Sequence, residues 1–229
     1  MSRFLSDRYK DLEPYVPGEQ PQDQQYVKLN TNESPFPPPP AAIAKASQAA
    51  ERLQLYSDPD CRVLSEKLAE MLSARCANAP AFTRENVIIT NGSDEVLNFA
   101  FMAYCSSEKP AVFPDITYGF YKVFADLHGI PYREIPLQPD LTVALEDLLH
   151  VGGTLFLANP NAPTGIPLTI PQIRSIKRTG FDDFVIPSQV CSGVVDDRSP
   201  RKEMTVFVIL FSAYLKVKRS DFRLHRSFL

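Results

Sequence analysis

The sequence has few cysteines, and their arrangement excludes the common cysteine-based metal sites. Among its 229 residues there are four cysteines, with no CxxC pair and no spacing typical of a zinc site. We therefore predict thiols in a reducing compartment rather than disulfides, and no metal site. The four positions are Cys61, Cys76, Cys105 and Cys191.

Long apolar runs are also missing, which argues against a membrane protein. No stretch of the sequence approaches the roughly 20 apolar residues that a membrane-spanning helix needs. Residues 1–8 lack the apolar core of a secretory signal peptide. We therefore expect a cytoplasmic protein with no membrane partner.

The sequence carries little net charge, and this gives no argument for a nucleic-acid partner. The formal charge is −3, while 44% apolar and 22% charged residues are ordinary for a globular chain of one large domain. Residues 187–229 hold eight basic and four acidic side chains, so this tail is +4 and the rest is −7. The tail has no RNA- or DNA-binding motif, and we predict no nucleic-acid binding.

The chain divides into three regions by composition. Residues 1–40 are rich in proline, glutamine and aspartate, which is typical of an extended arm laid over the body or over a partner subunit, or of a disordered tail. Residues 41–186 have the periodic pattern of a folded body. Residues 187–229 lose that pattern. They contain an apolar run, residues 206–211, that would favour aggregation if left unpaired.

Predicted helices and strands alternate over more than 100 residues of the body. This order indicates an α/β fold with a mostly parallel sheet flanked by helices. Ligands in such sheets bind beyond the carboxyl ends of the strands. The predicted strands are 87–89, 111–113, 132–135, 154–157 and 182–186, and the predicted helices are 41–53, one through residues 63–72, one following residue 94, 118–127 and 141–149.

The segment Thr90-Asn91-Gly92-Ser93-Asp94 joins a predicted strand to a predicted helix. Glycine permits a tight turn, and the helix then presents free backbone N–H groups together with the positive end of its dipole. A serine hydroxyl adds one more donor, so the segment suits a phosphate group. The same residues also fit a helix N-cap with Ser93 or Asp94 as the capping side chain and no ligand.

Two further segments follow predicted strands. Residues 114–121 open a helix with aromatic side chains, and a ring there can stack on a planar cofactor, although Tyr118 and Tyr121 also fit the core. Residues 159–165 read Asn-Pro-Asn-Ala-Pro-Thr-Gly, a rigid turn in which an asparagine amide can donate to a ligand oxygen. The alternative for this run is a generic loop.

Together with Leu29-Asn30-Thr31-Asn32-Glu33-Ser34-Pro35, these segments resemble the front half of a fold type I aminotransferase that uses pyridoxal phosphate (PLP). The similarity is closest to the histidinol-phosphate aminotransferase family. The resemblance implies that Gly92, Ser93 and Asp94 hold the PLP phosphate and that Tyr118 packs on the pyridine ring. It assigns the contact to the phenolic oxygen to Asn161, because Ala162 stands where many relatives have asparagine before Pro-Thr-Gly.

The resemblance also implies two residues outside these turns. Tyr56 matches a tyrosine that reaches the PLP phosphate of the neighbouring subunit, and Asn32 matches the arm that covers the substrate, with Ser34 in place of asparagine. The alternatives from the residues alone are a surface turn and a disordered arm. The implied partners are a small-molecule amino donor, a 2-oxo acid and a second copy of the chain in a homodimer.

The matching pattern stops near Ile186. The resemblance leads us to expect an Asp-Glu-Ala-Tyr strand end, whose aspartate pairs with the pyridine nitrogen, and later a Schiff-base lysine. Neither can be placed: Asp196 and Asp197 lie too far along the chain. The lysines of the tail, which we interpret as surface residues, are Lys202, Lys216 and Lys218.

No catalytic residue is therefore identified. One hypothesis is that the reading frame shifts near Ile186, and the other is a natural short protein with a divergent tail. The resemblance implies amino transfer from histidinol phosphate to 2-oxoglutarate in histidine biosynthesis, with another class I/II aminotransferase or a PLP decarboxylase of the same fold as alternatives. Whether the chain is an enzyme stays open: we predict that it is inactive as written, and the alternative is a non-catalytic remnant that at most dimerises or binds a phosphate ligand.

Overall fold

The computed structural model describes residues 36–75, 81–149, 152–178, 183–187 and 206–209, with positions 4, 6–9, 19, 23, 26 and 27. These residues fall in two units, one formed by residues 13–61 and the other by residues 1–12 and 62–229. Several predictions concern residues outside this set. They are Asn32 and the rest of the 29–35 segment, Cys76, Cys191, Asp196, Asp197, Lys202, Lys216 and Lys218.

A parallel sheet of five strands is the framework of the larger unit. The strand order is β2-β1-β3-β4-β5, so β1 lies between β2 and β3. Ala111 of β1 is opposite Tyr132 on one side and Thr154 on the other. The strands are β1 Ala111–Pro114, β2 Tyr132–Ile135, β3 Thr154–Phe156, β4 Asp183–Pro187 and β5 Val206–Ile209.

This sheet confirms the predicted α/β class with parallel strands. The sheet also shows whether the apolar run in the tail has a pairing partner. Residues 206–209 of that run pair in parallel with β4, in a register that places Val206 opposite Phe184. This part of the run is therefore paired on one side, while β5 is an edge strand of the described sheet.

Helices connect the strands and cover the sheet. α3 and α4 lead into and out of β1, and α4 ends where Gly129 adopts a left-handed conformation, φ 63°, that accommodates glycine. The described helices are α1 Pro40–Ala50, α2 Arg62–Arg75, α3 Gly92–Tyr104, α4 Phe120–His128, α5 Leu145–Leu148 and α6 Ile170–Arg178. None of the helices in the described part of the chain is both long and apolar enough to cross a membrane.

Two apolar cores lie on opposite faces of the sheet, because successive side chains of a strand point to opposite sides. Phe113 and Phe156 enter the first core with Phe101 of α3, and the Phe101 and Phe156 rings stack with centroids 4.1 Å apart. Val112 and Leu155 enter the second core, where Ile176 of α6 is also fully buried. The sheet is therefore covered on both faces, as a parallel sheet requires.

The prediction of a strand at residues 87–89 is wrong. Val87 is buried and extended, with φ −121° and ψ 128°, but the segment joins no ladder with any described strand. A short apolar run in a sequence indicates that the segment is buried, but a strand forms only where a second strand pairs with it in register. Residues 84–86 form a 3₁₀ turn that leads into the run.

Two helix predictions also need correction, and one helix was missed. The predicted helix 41–53 ends at Ala50, and residues 51–54 form turns. The predicted helix 141–149 shortens to α5, because residues 138–142 form a tight turn in which the Gln138 N–H donates to the Thr142 carbonyl at 2.9 Å and Leu141 has φ 65°. α6 was not predicted at all, although it carries Pro171 in its first turn, a position where proline is favoured.

The smaller unit contains α1, and its described residues 36–57 are all exposed. The helix has proline at its start and six alanines among its 11 residues, so it presents little apolar surface for burial within this unit. The chain leaves it through turns to Asp58, whose carboxylate accepts the Asp60 N–H at 3.2 Å. The domain division at residues 40 and 186 stays a prediction.

Candidate functional site

The turn into α3 is built around Gly92, which has φ +79°. Its N–H donates to the Thr90 carbonyl at 3.0 Å, and the Thr90 hydroxyl donates to the Gly92 carbonyl at 2.8 Å. A Cβ added at Gly92 would meet no atom within 4 Å, so the space beside the turn is open. Glycine is required here by the backbone conformation alone.

The first turn of α3 keeps donors for a ligand. Asn91 is the N-cap residue, and its side chain makes no capping hydrogen bond. Its N–H instead donates to the Glu95 carboxylate at 2.7 Å. The side chain of Ser93 makes no hydrogen bond with the described residues, and the first amides of a helix have no partner within it. Neither Ser93 nor Asp94 is the N-cap, since both lie inside the helix.

Tyr118 contacts this turn directly. Its hydroxyl donates to the Asp94 carboxylate at 2.6 Å, a length typical of a hydroxyl bound to an ionised carboxylate. The half-buried Tyr118 ring stacks on Phe120, with centroids 5.7 Å apart and an interplanar angle of 22°. It meets Tyr121 edge to face, at 5.8 Å and 81°. The aromatic segment and the glycine turn therefore form one surface.

Tyr121, the second tyrosine of that segment, belongs to the core. Its side chain is fully buried against Phe101, Phe113 and Phe156. Its hydroxyl has no hydrogen-bond partner among the described residues. Burial, with a smaller contribution from Tyr118, raises the pKa of Tyr121, so this phenol stays protonated. The core interpretation therefore holds for Tyr121.

Asn161 is buried and its side-chain amide is fully engaged. Its Nδ2 donates to the Ile116 carbonyl at 2.8 Å and to the Thr164 hydroxyl at 3.2 Å, and its Oδ1 accepts the Thr117 hydroxyl at 2.7 Å. These bonds join the loop after β1 to the loop after β3. A direct contact from Asn161 to a ligand would require it to exchange one of them, since an amide has two N–H donors.

The loop after β3 is held in place by a second asparagine. Asn159 Oδ1 accepts the Leu168 N–H at 2.7 Å, and Asn159 Nδ2 donates to the Leu168 carbonyl at 3.3 Å. The peptide bonds before Pro160 and Pro163 are both cis. Ala162, in this loop directly before Pro163, is exposed. The motif is therefore an ordered turn rather than a generic loop.

Contacts between side chains bring three of the predicted segments together. Asp94 binds Tyr118, and the neighbouring Thr117 binds Asn161. Sequence reasoning missed Thr117 and Glu95 as parts of this arrangement, although both lie within or beside the quoted motifs. Among the described residues there is no cluster of three or more histidine, cysteine, aspartate or glutamate side chains suited to a metal ion.

The structure does not test the two other predicted residues. Tyr56 lies in the 13–61 unit and is fully exposed there. Asn32 lies outside the described residues. Their roles toward a cofactor or a substrate stay predictions.

Comparison with known proteins gives the family. The model of the aminotransferase class I and II family matches residues 24–180. The chain belongs to this family. The match ends at residue 180, close to the point where the sequence pattern stops, so the expectation that only the front portion of the chain resembles the family is confirmed.

Among curated relatives, a histidinol-phosphate aminotransferase of Marinomonas sp. (strain MWYL1) is 47% identical over 189 residues, which are 81% of this chain and 51% of that protein. One of Brachyspira hyodysenteriae is 42% identical, with the same two coverages. The chain spans about half the length of the curated relatives it matches.

A solved histidinol-phosphate aminotransferase of Sinorhizobium meliloti, in complex with pyridoxal-5′-phosphate, is 19% identical with a TM-score of 0.65 over 86% of this chain and 57% of that one. A variant aspartate aminotransferase of Thermus thermophilus is 17% identical with a TM-score of 0.74 over 99% of this chain and 66% of that one. At such identities the likeness shows the fold of the family's large domain.

Proposed function

We propose that the complete form of this protein is a PLP-dependent aminotransferase for histidinol phosphate and 2-oxoglutarate. The observation that carries the proposal is the meeting of three motifs of this family at one place, through the Tyr118–Asp94 and Thr117–Asn161 hydrogen bonds. The identity of 47% to a histidinol-phosphate aminotransferase supports the choice of substrates.

The described residues suit two parts of the cofactor. Its phosphate group suits the turn into α3, where hydrogen-bond donors lie beside open space. The donors are the amide groups of the first helical turn and the Ser93 hydroxyl, and the open space is beside Gly92. The Tyr118 ring suits its planar pyridine. When bound, PLP supplies an electron sink for the bonds broken at the substrate's α-carbon.

The acidic side chains of this turn do not oppose an anion as strongly as their number suggests. The Asp94 carboxylate is engaged by the Tyr118 hydroxyl, and the Glu95 carboxylate by the Asn91 amide. Each charge therefore has a donor of its own. The remaining donors at the turn are the ones we assign to the phosphate.

Two further parts of the cofactor have no residue assigned to them. The lysine that binds PLP covalently and the aspartate that pairs with its ring nitrogen are not identified in the sequence. We therefore propose that the chain as written binds PLP through its phosphate without transamination. Loss of the lysine alone removes a general acid–base contribution of about 10²–10⁴-fold.

Two measurements test this proposal. Equilibrium dialysis compares PLP with pyridoxal, which has the same ring and no phosphate, and we expect PLP to bind more tightly. Ser93→Ala should reduce the difference in affinity between PLP and pyridoxal, because the Ser93 hydroxyl supplies one hydrogen-bond donor to the phosphate. Equal binding of the two ligands would contradict the assignment of the phosphate to α3.

Activity and covalent binding are measured separately. Transamination of histidinol phosphate with 2-oxoglutarate, assayed with and without the protein, should not exceed the free-PLP background. Borohydride reduction followed by mass spectrometry should show no PLP–lysine adduct. Turnover above the background, or an adduct on a specific lysine, would refute the proposed inactivity.

The non-catalytic alternative is supported by the missing residues, since neither the Schiff-base lysine nor the aspartate for the ring nitrogen is identified in the sequence. Sequencing the genomic DNA from the codons of Phe181 past the stop separates it from the frame-shift hypothesis. A shifted frame that encodes the missing strand end and lysine would assign the activity to the restored protein. Light scattering during gel filtration tests the proposed homodimer.

A further inference from the structure

The contact between Asp94 and Tyr118 joins two elements that are distant in sequence. Asp94 lies in the first turn of α3 and Tyr118 in the loop between β1 and α4, 24 residues further on. Their hydrogen bond is 2.6 Å long, within the range of charge-assisted O–H···O⁻ bonds. Such a bond fixes the tyrosine hydroxyl, and with it the direction of the ring.

The ring of Tyr118 also has aromatic neighbours. Stacking on Phe120 and the edge contact with Tyr121 limit its tilt, but ring contacts at 5.7 and 5.8 Å allow sliding. A bond to the hydroxyl, at the far end of the side chain, restrains the motion that the ring contacts leave. The position of the ring face therefore depends on Asp94.

We infer that Asp94 is a positioning residue that acts through Tyr118: its carboxylate holds the ring at the orientation in which a planar cofactor stacks on it. The inference rests on the proposed function, since it concerns the same site. It also gives the Asp94 side chain a role that is separate from its backbone amide, which lies in the phosphate-binding turn. The carboxylate is favourably placed for this role, because negative charge is stabilised at a helix N-terminus.

A set of variants distinguishes the positioning of the Tyr118 ring from the effect of the Asp94 charge. Asp94→Ala removes the acceptor, whereas Asp94→Asn keeps an oxygen that accepts the same phenol hydrogen and removes only the charge. Glu146→Ala is the control, because it removes one exposed carboxylate from α5, outside the three segments that form the site. Tyr118→Phe removes the hydroxyl and keeps the ring.

The measurements are the dissociation constant for PLP and the circular dichroism band of bound PLP, which reports the orientation of its ring. We expect Asp94→Ala to weaken PLP binding about tenfold and to change the band, and Asp94→Asn to stay within about twofold of the wild type. In the Tyr118→Phe background, Asp94→Ala should have no further effect. Glu146→Ala should leave the shape of the band unchanged.

Each outcome decides a separate point. If Asp94→Ala and Asp94→Asn change binding equally, the charge acts on the phosphate directly and the inference is overturned. It is also overturned if Asp94→Ala has its full effect in the Tyr118→Phe background. If the wild-type chain binds no PLP, the proposed function fails and the inference falls with it. Far-ultraviolet circular dichroism of each variant shows whether the fold is retained, and Asp94→Asn provides the comparison if Asp94→Ala does not fold.

Discussion

Gly153 allows a sharp test of the packing beside β3. It has φ +122°, a conformation that residues with a side chain rarely adopt, and a Cβ placed there would collide with the Pro110 carbonyl oxygen. That oxygen accepts the Thr154 N–H at 2.9 Å, next to the pairing of Ala111 with Thr154. A collision at this point therefore disturbs the register of β1 and β3.

The expected cost of Gly153→Ala follows from two contributions. Holding alanine at this φ costs about 1–3 kcal/mol, and displacing the packed carbonyl costs about 1–3 kcal/mol more. The sum, about 2–6 kcal/mol, is a large part of the 5–15 kcal/mol by which a typical domain is stable. We expect the variant to unfold at much lower urea concentration or to fail to fold.

Gly152→Ala is the matched control. A Cβ at Gly152 meets no atom within 4 Å, and its φ is not in the left-handed region. We expect its free energy of unfolding to stay within about 1 kcal/mol of the wild type, with a small gain from reduced freedom of the unfolded chain. Urea titrations of both variants, followed at 222 nm, make the measurement. Equal effects of the two substitutions would refute the argument from φ and the carbonyl contact.

Three further predictions concern the core, the site and the surface. Phe101→Ala should lower the free energy of unfolding by about 3–5 kcal/mol in the same titration, because this fully buried ring stacks on the other core aromatics. Asn161→Ala should cost about 2–4 kcal/mol, since it leaves the Ile116 carbonyl and its hydroxyl partners without their bonds, and a loss below 1 kcal/mol would show that they find other partners. Lys122→Met should cost at most about 1 kcal/mol near neutral pH, because its 2.7 Å pair with Glu134 is partly exposed to solvent, which screens the attraction. The hydrogen bond with Glu134 raises the pKa of Lys122 above 10.5, so this small contribution is present below that pH and lost as the pH rises through the raised pKa.

Local pattern predicted β1 to β4, but it did not predict β5, and it placed a strand at residues 87–89 that joins no described ladder. Residues 132–135 have the bounds predicted from sequence, and β1 and β3 differ by one residue. The run at 87–89 has the same apolar character but no described neighbour in the sheet, and that depends on the rest of the chain. Pairing is a long-range property, which a short window of sequence does not contain.

The candidate site could be predicted as separate segments but not as an arrangement. Gly92, Tyr118 and Asn161 were predicted as site residues from their residue types and from their positions at the start of a helix or in a loop. The bond from Tyr118 to Asp94, and the closed set of bonds around Asn161, arise from tertiary folding. Side-chain partners 24 and 44 residues apart have no local signature.

The position of β1 in the sheet has a consequence for the order in which the chain folds on the ribosome. β1 is synthesised before both of its neighbours, β2 and β3, so the backbone groups on its two edges wait for partners that emerge later. Until β3 leaves the exit tunnel, the edge of Ala111 and Val112 that pairs with β3 is open in a two-stranded sheet. Contacts of such long sequence separation form slowly, so we expect chaperone binding to nascent chains that end between β2 and β3.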